Sequence, residues 1–262
     1  MLTMLATDLD GTIVFERTVP PAEKAALDRW RAAGHVLVVS TGKSIFATAD
    51  VLGPSGLEFD YCVCYSGAVI TDGAYRVVDA TYLPTDVVRE VYAYLKDRPH
   101  VATYATTIDN DYALADNAGR VDSILAKFTP MSPDEFGDHD FIGIPMLVTD
   151  DAERDRLEAS LRERWGDRVE VHRNQDFLDI VPPGSDKGIG LQRLIADQFA
   201  DVEVDLWTIG DSWNDIGMHQ VADHAVCFPY SPPEVKAVCD VEVAHAHELI
   251  DRVLGDASGE DA

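Results

Sequence analysis

Hydrophobic residues follow two rhythms along this chain, and the order in which they alternate changes twice. Short apolar runs come first, separated by stretches whose apolar residues recur every three or four positions. Leu2–Asp8 is a strand-sized run that ends in a carboxylate. Pro20–Ala33 sets Ala26, Leu27, Trp30 and Ala33 at helical spacing, opens on proline and stops at Gly34. His35–Ser40 (HVLVVS) reads as a buried strand, Lys43–Leu52 as a short helix and Tyr61–Tyr65 as a third strand. Ala68–Thr71 and Tyr75–Ala80 read as a hairpin joined at Asp72-Gly73. This β–α alternation predicts an α/β fold with a parallel sheet.

From about Leu83 to Val181 the texture becomes helix, strand, irregular stretch, strand, helix, strand, strand. Ile142–Val148 reads as a strand, Asp151–Trp165 as a highly charged helix with a solvated face, and Val169–His172 and Phe177–Val181 as further strands. Strict alternation resumes with helix Lys187–Phe199, strand Leu206–Gly210, helix Asp215–Val221, strand Ala225–Phe228 and helix Glu234–Cys239. The tail GDASGEDA (255–262) is expected to fray. The simplest organisation is one α/β domain, residues 1–82 and 184–262, interrupted by an α+β insertion over 83–183.

Composition narrows the classes. A chain of 262 residues with 46% hydrophobic content can bury a sizeable core, which excludes general disorder. Its apolar runs are strand-sized, far short of the roughly 18–20 residues that span a bilayer. MLTMLATDLDGT has neither a basic n-region nor an apolar h-region, so no signal peptide is expected. Four cysteines do not make a disulfide framework, and a reducing cytoplasmic setting fits. A net charge of −26 argues against nucleic acid or an anionic membrane as a partner. Such acidity suits either an ordinary soluble cytosolic protein or one adapted to high salt, which screens self-repulsion. With only six lysines against fifteen arginines, the position of each lysine carries information.

Candidate chemistry gathers at strand ends. Asp8 and Asp10, in Asp8-Leu9-Asp10-Gly11-Thr12, close the first strand and point the same way if the segment is extended. In an open parallel sheet the carboxyl ends of the strands form the ligand crevice. Two carboxylates there raise each other's pKa unless a hard cation with oxygen ligands, such as Mg²⁺, relieves them. By itself such a pair is also what a solvated turn contains. Gly210-Asp211-Ser212-Trp213-Asn214-Asp215 also follows an apolar strand, which puts Asp211 at the same sheet edge; a helix cap is the plainer alternative for Asp211 or Asp215. Ser40-Thr41-Gly42-Lys43-Ser44 lacks the first glycine of a Walker A loop, where Leu37 stands, yet offers a hydroxyl, a flexible amide and a cation for a phosphate oxygen. Lys187 opens a helix, where the dipole disfavours a cation, so an electrostatic partner is expected.

In this order the four pieces, DLDGT, STGK, the lysine of SDKG and GDSWND, resemble the motifs of the haloacid dehalogenase superfamily of phosphohydrolases. The hairpin after Ser66-Gly67-Ala68, the stretch FLDIVPPGSDKGIGL and the insertion's place between the second and third motifs are similar to the Cof-like branch. The resemblance implies a Rossmann-like three-layer core with an inserted α+β cap that closes over the site and selects the leaving group. It implies that Asp8 is the nucleophile and Asp10 the acid and base. Mg²⁺ would be held by Asp8, the carbonyl of Asp10 and Asp211, with Asp215 supporting them. Thr41, the Gly42 amide and Lys187 would bind the phosphoryl oxygens, and Asn214 would help to orient the site. Three departures stand near the substrate. Lys43 replaces an arginine, Ser66 replaces an asparagine, and Cys227-Phe228-Pro229-Tyr230 replaces Met-Gly-Asn-Ala, leaving Lys43 and Ser66 as candidate substrate contacts.

Two further groups read as ordinary. Cys62 and Cys64 share a strand face but make only half a zinc site, and His245 and His247 would share a strand face with no third ligand apparent. The expected activity is Mg²⁺-dependent hydrolysis of a small phosphorylated metabolite, a sugar phosphate or similar monoester. The alternatives are a sugar phosphomutase or a catalytically silent regulatory binding protein.

Overall fold

The structure is a computed structural model and describes residues 1–119, 127–174 and 176–257. In chain order the elements begin with β1 (Leu2–Thr7), α1 (Pro21–Ala32), β2 (Val36–Ser40), α2 (Ile45–Leu52), β3 (Tyr61–Cys64), β4 (Val69–Asp72) and β5 (Val77–Ala80). There follow α3 (Thr85–Leu95), β6 (Val101–Thr107), β7 (Asp111–Asp116), β8 (Thr129–Pro130), β9 (Phe141–Val148), α4 (Asp151–Trp165), β10 (Glu170–Asn174) and β11 (Phe177–Val181). The chain closes with α5 (Lys187–Gln198), β12 (Val204–Ile209), α6 (Ile216–Gln220), β13 (His224–Cys227), α7 (Pro233–Lys236), β14 (Val241–Glu242) and α8 (Ala246–Ala257). Two compact units result. One holds Met1–Lys43, Thr48–Val78 and Asp186–Ala262, and the other Ser44–Ala47 and Asp79–Ser185. These divisions fall after Val78 and after Ser185, whereas the change of sequence texture is placed at 82/83 and 183/184.

The first unit is built on an eight-stranded sheet ordered β14-β13-β12-β1-β2-β3-β4-β5. From β14 to β3 every pairing is parallel, and β4 returns antiparallel to β3. Alternation along β1 explains why helices cover both faces. Met4 and Ala6 join Val38, Val63 and Leu206 under Leu191 and Leu194 of α5 and Met218 of α6. Leu5, Leu37 and Val39, the intervening positions, are equally buried, as are Ala26, Leu27 and Trp30 of α1 and Leu249 and Ile250 of α8. Trp30 donates its indole N–H to the Val36 carbonyl at 2.9 Å, and Arg29 pairs with Asp251 at 2.5 Å to join α1 to α8. The outcome is the three-layer α/β core of the Rossmann type.

The chain leaves β1 toward β2 and β3, then returns through β12 to build β13 and β14 on the other side. The order reverses at β1, so its carboxyl end and that of β12 flank a topological switch point, where open α/β sheets bind ligands.

The second unit is α+β. Its six-stranded sheet runs β10-β11-β9-β6-β7-β8, antiparallel except for β7 with β8. Val87, Val91 and Leu95 of α3, and Leu157, Leu161 and Trp165 of α4, share one core with Phe141, Ile144, Met146 and Val148 of β9.

Four local expectations change. The β4–β5 connection spans Asp72–Arg76 rather than two residues. The Asp72 carboxylate accepts both the Ala74 and Arg76 amides at 2.9 Å, and Tyr75 sits at φ 61°. The helix expected over Glu234–Cys239 shortens to Pro233–Lys236. The tail begins inside α8, which continues through Ala257; residues 258–262 lie outside the described residues. His245 and His247 stand at the start of that helix, not on a strand. Among the described residues, no helix is long and apolar enough to cross a membrane.

Candidate active site

Four segments place their side chains at the carboxyl edge of the first unit's sheet. β1 stops at Thr7, and the amide of Asp8, the next residue, donates to the Ile209 carbonyl of β12 at 2.9 Å. Immediately after, the Leu9 carbonyl accepts the Ile13 and Val14 amides at 3.0 and 2.7 Å, which curls the DLDGT segment into a tight turn. The turn needs glycine at position 11. Gly11 has φ 80°, and a Cβ there would lie 2.7 Å from Oδ2 of Asp211. Thr12 closes the same contact from its own side, donating Oγ1–H to Asp211 Oδ1 at 3.3 Å.

Lys187 is the hub. Asp186 caps α5 by accepting the Gly188 and Ile189 amides at 2.7 and 3.3 Å, which leaves Lys187 as the first helical residue. Its side chain is 0% exposed and its Nζ donates at 2.6 Å both to Asp8 Oδ1 and to Asp215 Oδ1. Two carboxylates therefore offset the helix dipole that disfavours a cation here. Asp215 is fully buried, and its other oxygen accepts the Asp211 and Ser212 amides at 3.0 and 2.9 Å. It thus ties the segment after β12 to the lysine.

Burial and crowding raise the pKa of Asp8 and of Asp211. Burial, with the neighbouring charges of Asp215 and Asp211, pushes Asp8 up to about 7 although Lys187 pulls the other way. Burial and Asp215 lift Asp211 to about 6 against Lys187 and Thr12. Burial opposes the charge on Lys187, but Asp215 and Asp8 outweigh it and hold the ammonium above its ordinary value. Oxygens of Asp8, Asp211 and Asp215 lie within 4.8 Å of one another. Three carboxylates against one ammonium leave excess negative charge, and the donors are all hard oxygens. This is the donor set of a divalent cation such as Mg²⁺, and the residues fit the ion that the family motifs imply.

The other expected residues fall around this cluster. Asp10 is exposed, and its Oδ2 pairs with Lys43 Nζ at 2.5 Å, so the lysine that replaces an arginine is engaged with a carboxylate. Thr41 is buried just past β2, where its Oγ1 accepts the Lys43 amide at 3.1 Å and keeps its own proton to donate. Gly42 is half-buried between them. Ser66 donates its amide to the Thr41 carbonyl at 3.0 Å and is held at φ 51°. Asparagine tolerates that left-handed conformation better than serine does, which gives the substitution a backbone meaning. Asn214 is half-buried on the 3₁₀ turn Trp213–Asp215. Cys62 and Cys64 are buried on β3 with their sulfurs 2.9 Å apart, away from any described third ligand.

One residue escaped the motif reading. Tyr230 donates its hydroxyl to the Gly11 carbonyl at 2.6 Å and stacks on Phe228 at 5.0 Å. The rebuilt Cys227–Tyr230 segment therefore braces the DLDGT turn. Its departure from the family pattern was the only sign, because nothing in a sequence pairs residue 230 with residue 11. A surface concavity of about 680 Å³ lies elsewhere, at the amino end of β2, and its charged lining includes Arg31 tied to Glu58 and Asp60.

The family model of haloacid dehalogenase-like hydrolases matches residues 5–251. The chain is 29% identical over 251 residues to an Arabidopsis thaliana protein named endoribonuclease YBEY, chloroplastic, covering 89% of this chain but 42% of that one. It is 24% identical over 262 residues to the 5-amino-6-(5-phospho-D-ribitylamino)uracil phosphatase YwtE of Bacillus subtilis, covering 88% of this chain and 89% of that one. A solved haloacid dehalogenase-like hydrolase from B. subtilis superposes with a TM-score of 0.80 at 18% identity, over 95% of this chain and 99% of its own. The chain belongs to the haloacid dehalogenase-like hydrolase family, and its fold is shared with a solved HAD/COF-like hydrolase from Plasmodium vivax, at a TM-score of 0.81 and 18% identity over 97% of this chain and 96% of that one.

Proposed function

We propose that this protein is a Mg²⁺-dependent phosphatase acting on a small phosphomonoester, a sugar phosphate or a similar metabolite, through an aspartyl-phosphate on Asp8. The observation that carries the reading is the buried Asp8–Lys187–Asp215 triad beside Asp211 at the switch point of the sheet. The Bacillus relative's phosphatase name supports the substrate class.

Asp8, the carbonyl of Asp10 and Asp211 would hold the ion, and Asp215 would support Asp211 through its amide. When bound, Mg²⁺ supplies positive charge that keeps Asp8 ionised and draws in an anionic substrate despite the protein's net charge of −26. Lys187 engages only Oδ1 of Asp8, so Oδ2 is the oxygen left to attack phosphorus. A bond forms from Oδ2 to phosphorus as the bond to the leaving oxygen breaks, and Asp10 gives that oxygen its proton. Asp10 then takes a proton from water, which attacks phosphorus, releases phosphate and regenerates the Asp8 carboxylate. Thr41 Oγ1, the Gly42 amide and Lys187 Nζ are the donors for phosphoryl oxygens, and Asn214 helps orient them. The α+β unit is taken as the cap that selects the leaving group.

A phosphate-release screen over phosphorylated sugars and related monoesters, run with Mg²⁺ and with EDTA, tests the proposal. Mg²⁺-dependent continuous release of inorganic phosphate is expected. Isomerisation without release would establish a mutase, and full activity in EDTA would refute the metal.

A further inference from the structure

A second cluster of ligand-bearing side chains lies in the first unit, outside the residues assigned to catalysis. Glu23 in the first turn of α1 is buried, with its side chain 3% exposed, and its described ion pairs are to two histidines and to no lysine or arginine. Oε2 accepts the backbone N–H of His247 at 2.7 Å, near the start of α8. Oε1 faces both rings, 2.9 Å from Nδ1 of His247 and 3.9 Å from Nδ1 of His245. The rings stack with centroids 5.1 Å apart and planes 11° from parallel, so both nitrogens converge on one carboxylate oxygen. His245 precedes the helix and His247 lies within it, which lets two residues at i and i+2 turn toward one point.

We propose that Glu23, His245 and His247 form a binding site for a divalent transition-metal ion of the Zn²⁺ class, which clasps α8 to α1. One ligand atom from each residue lies within 4.8 Å of the others. Metal–ligand bonds of about 2.0–2.2 Å in a tetrahedron put ligand atoms roughly 3.3 Å apart, and the separations of 2.9 and 3.9 Å bracket that value. Two imidazoles and one carboxylate suit Zn²⁺, Co²⁺ or Ni²⁺ and do not suit Mg²⁺, which separates this site from the all-oxygen catalytic cluster. The exposed ring of His245 leaves an approach from solvent, and water completes the shell. Charge argues the same way, since a buried carboxylate lacking a strong cation is costly.

Titration of Co²⁺ into the metal-stripped full chain, in the presence of excess Mg²⁺, tests this directly. Visible absorption of a four-coordinate Co²⁺ ion should grow to one equivalent and be displaced by Zn²⁺, and Zn²⁺ should raise the melting temperature. His245→Ala removes an exposed ligand with little effect on folding. It should weaken Co²⁺ binding by about tenfold or more, since loss of even an outer partner of a metal ligand costs 10–100-fold, while Mg²⁺-dependent activity stays. Glu23→Gln should weaken the metal similarly. Asp211→Asn should leave the Co²⁺ signal in place. Co²⁺ absorption that survives His245→Ala, that vanishes with Asp211→Asn, or that never appears would overturn the site. The last result would leave the cluster as a hydrogen-bonded clasp alone.

Discussion

Lys187 shows how one residue can set the electrostatics of a site. It lies at the first position of α5, where a cation is disfavoured, and is held by two carboxylates 2.6 Å away. Lys187→Met keeps the length and removes the charge, so Asp8 and Asp215 face one another uncompensated. We expect kcat/KM to fall by about 10²–10³, the loss typical of one preorganised contact to developing charge. A loss below about threefold would place Lys187 outside the chemistry. Ser66 offers the opposite sign. Its φ of 51° costs a non-glycine residue about 1–2 kcal/mol, so Ser66→Gly should raise the melting temperature by about 2–4 °C per kcal/mol recovered. A lower melting temperature would mean that the hydroxyl contributes more than the backbone strain costs. These residues were visible in the sequence to different degrees. Asp8, Asp211 and Lys187 stand at strand ends or a helix start, where periodicity alone locates them. Tyr230 and Glu23 act through contacts more than 200 positions away, at residues 11 and 247, and no local pattern encodes such pairings.

At the scale of elements, α5 is as much a positioning device as a structural one. Asp186→Ala removes the cap, which costs about 1 kcal/mol, and also frees the first turn that aims Lys187. Both the melting temperature and kcat/KM should fall. Asp150→Ala is the control, because Asp150 caps α4 of the second unit by accepting the Glu153 amide at 2.8 Å. It should lose comparable stability without changing turnover of p-nitrophenyl phosphate, and equal kinetic damage from the two variants would contradict the assignment. Elements with strong patterning were legible: α4 and β11 occupy Asp151–Trp165 and Phe177–Val181, the ranges their residues predict. β7 was not, because Asp111 and Asp116 bracket only four residues, Tyr112-Ala113-Leu114-Ala115, which lack β-branched side chains and polar alternation, and the pairing comes from β6. The start of α8 was not legible either, since the His247 amide in its first turn is accepted by Glu23 of α1, 224 positions away, rather than by a neighbour in sequence.

For the whole molecule, the excess carboxylate at the site couples stability to pH and metal. In the metal-free protein Asp8 titrates at about 7 and Asp211 at about 6, both above their ordinary value of 3.8. Between pH 4 and 7 the folded state therefore holds protons that the unfolded chain has released, and stability falls as pH rises. Lys187, raised above its ordinary 10.5, contributes fully below that value and is constant across this window. Asp72 and Asp86, held below 3.8 by the Arg76 and Arg168 contacts, act only at still lower pH. In EDTA the melting temperature should thus be higher at pH 5 than at pH 7.5. Asp8→Asn should narrow that gap, and Mg²⁺ should stabilise the wild type most at pH 7.5. A melting temperature that rises toward pH 7.5 in EDTA would contradict the coupling. In the proposed chemistry the phosphoryl group passes through Asp8 while Asp10 moves the protons. Rapid mixing of Asp10→Asn with p-nitrophenyl phosphate, followed by acid quench and mass spectrometry of the protein, tests it most directly. The nitrophenolate leaves without needing an acid, but hydrolysis lacks its base, so a burst near one equivalent should leave phosphate covalently on Asp8. Phosphate on any other residue, or turnover by Asp8→Asn, would contradict the account.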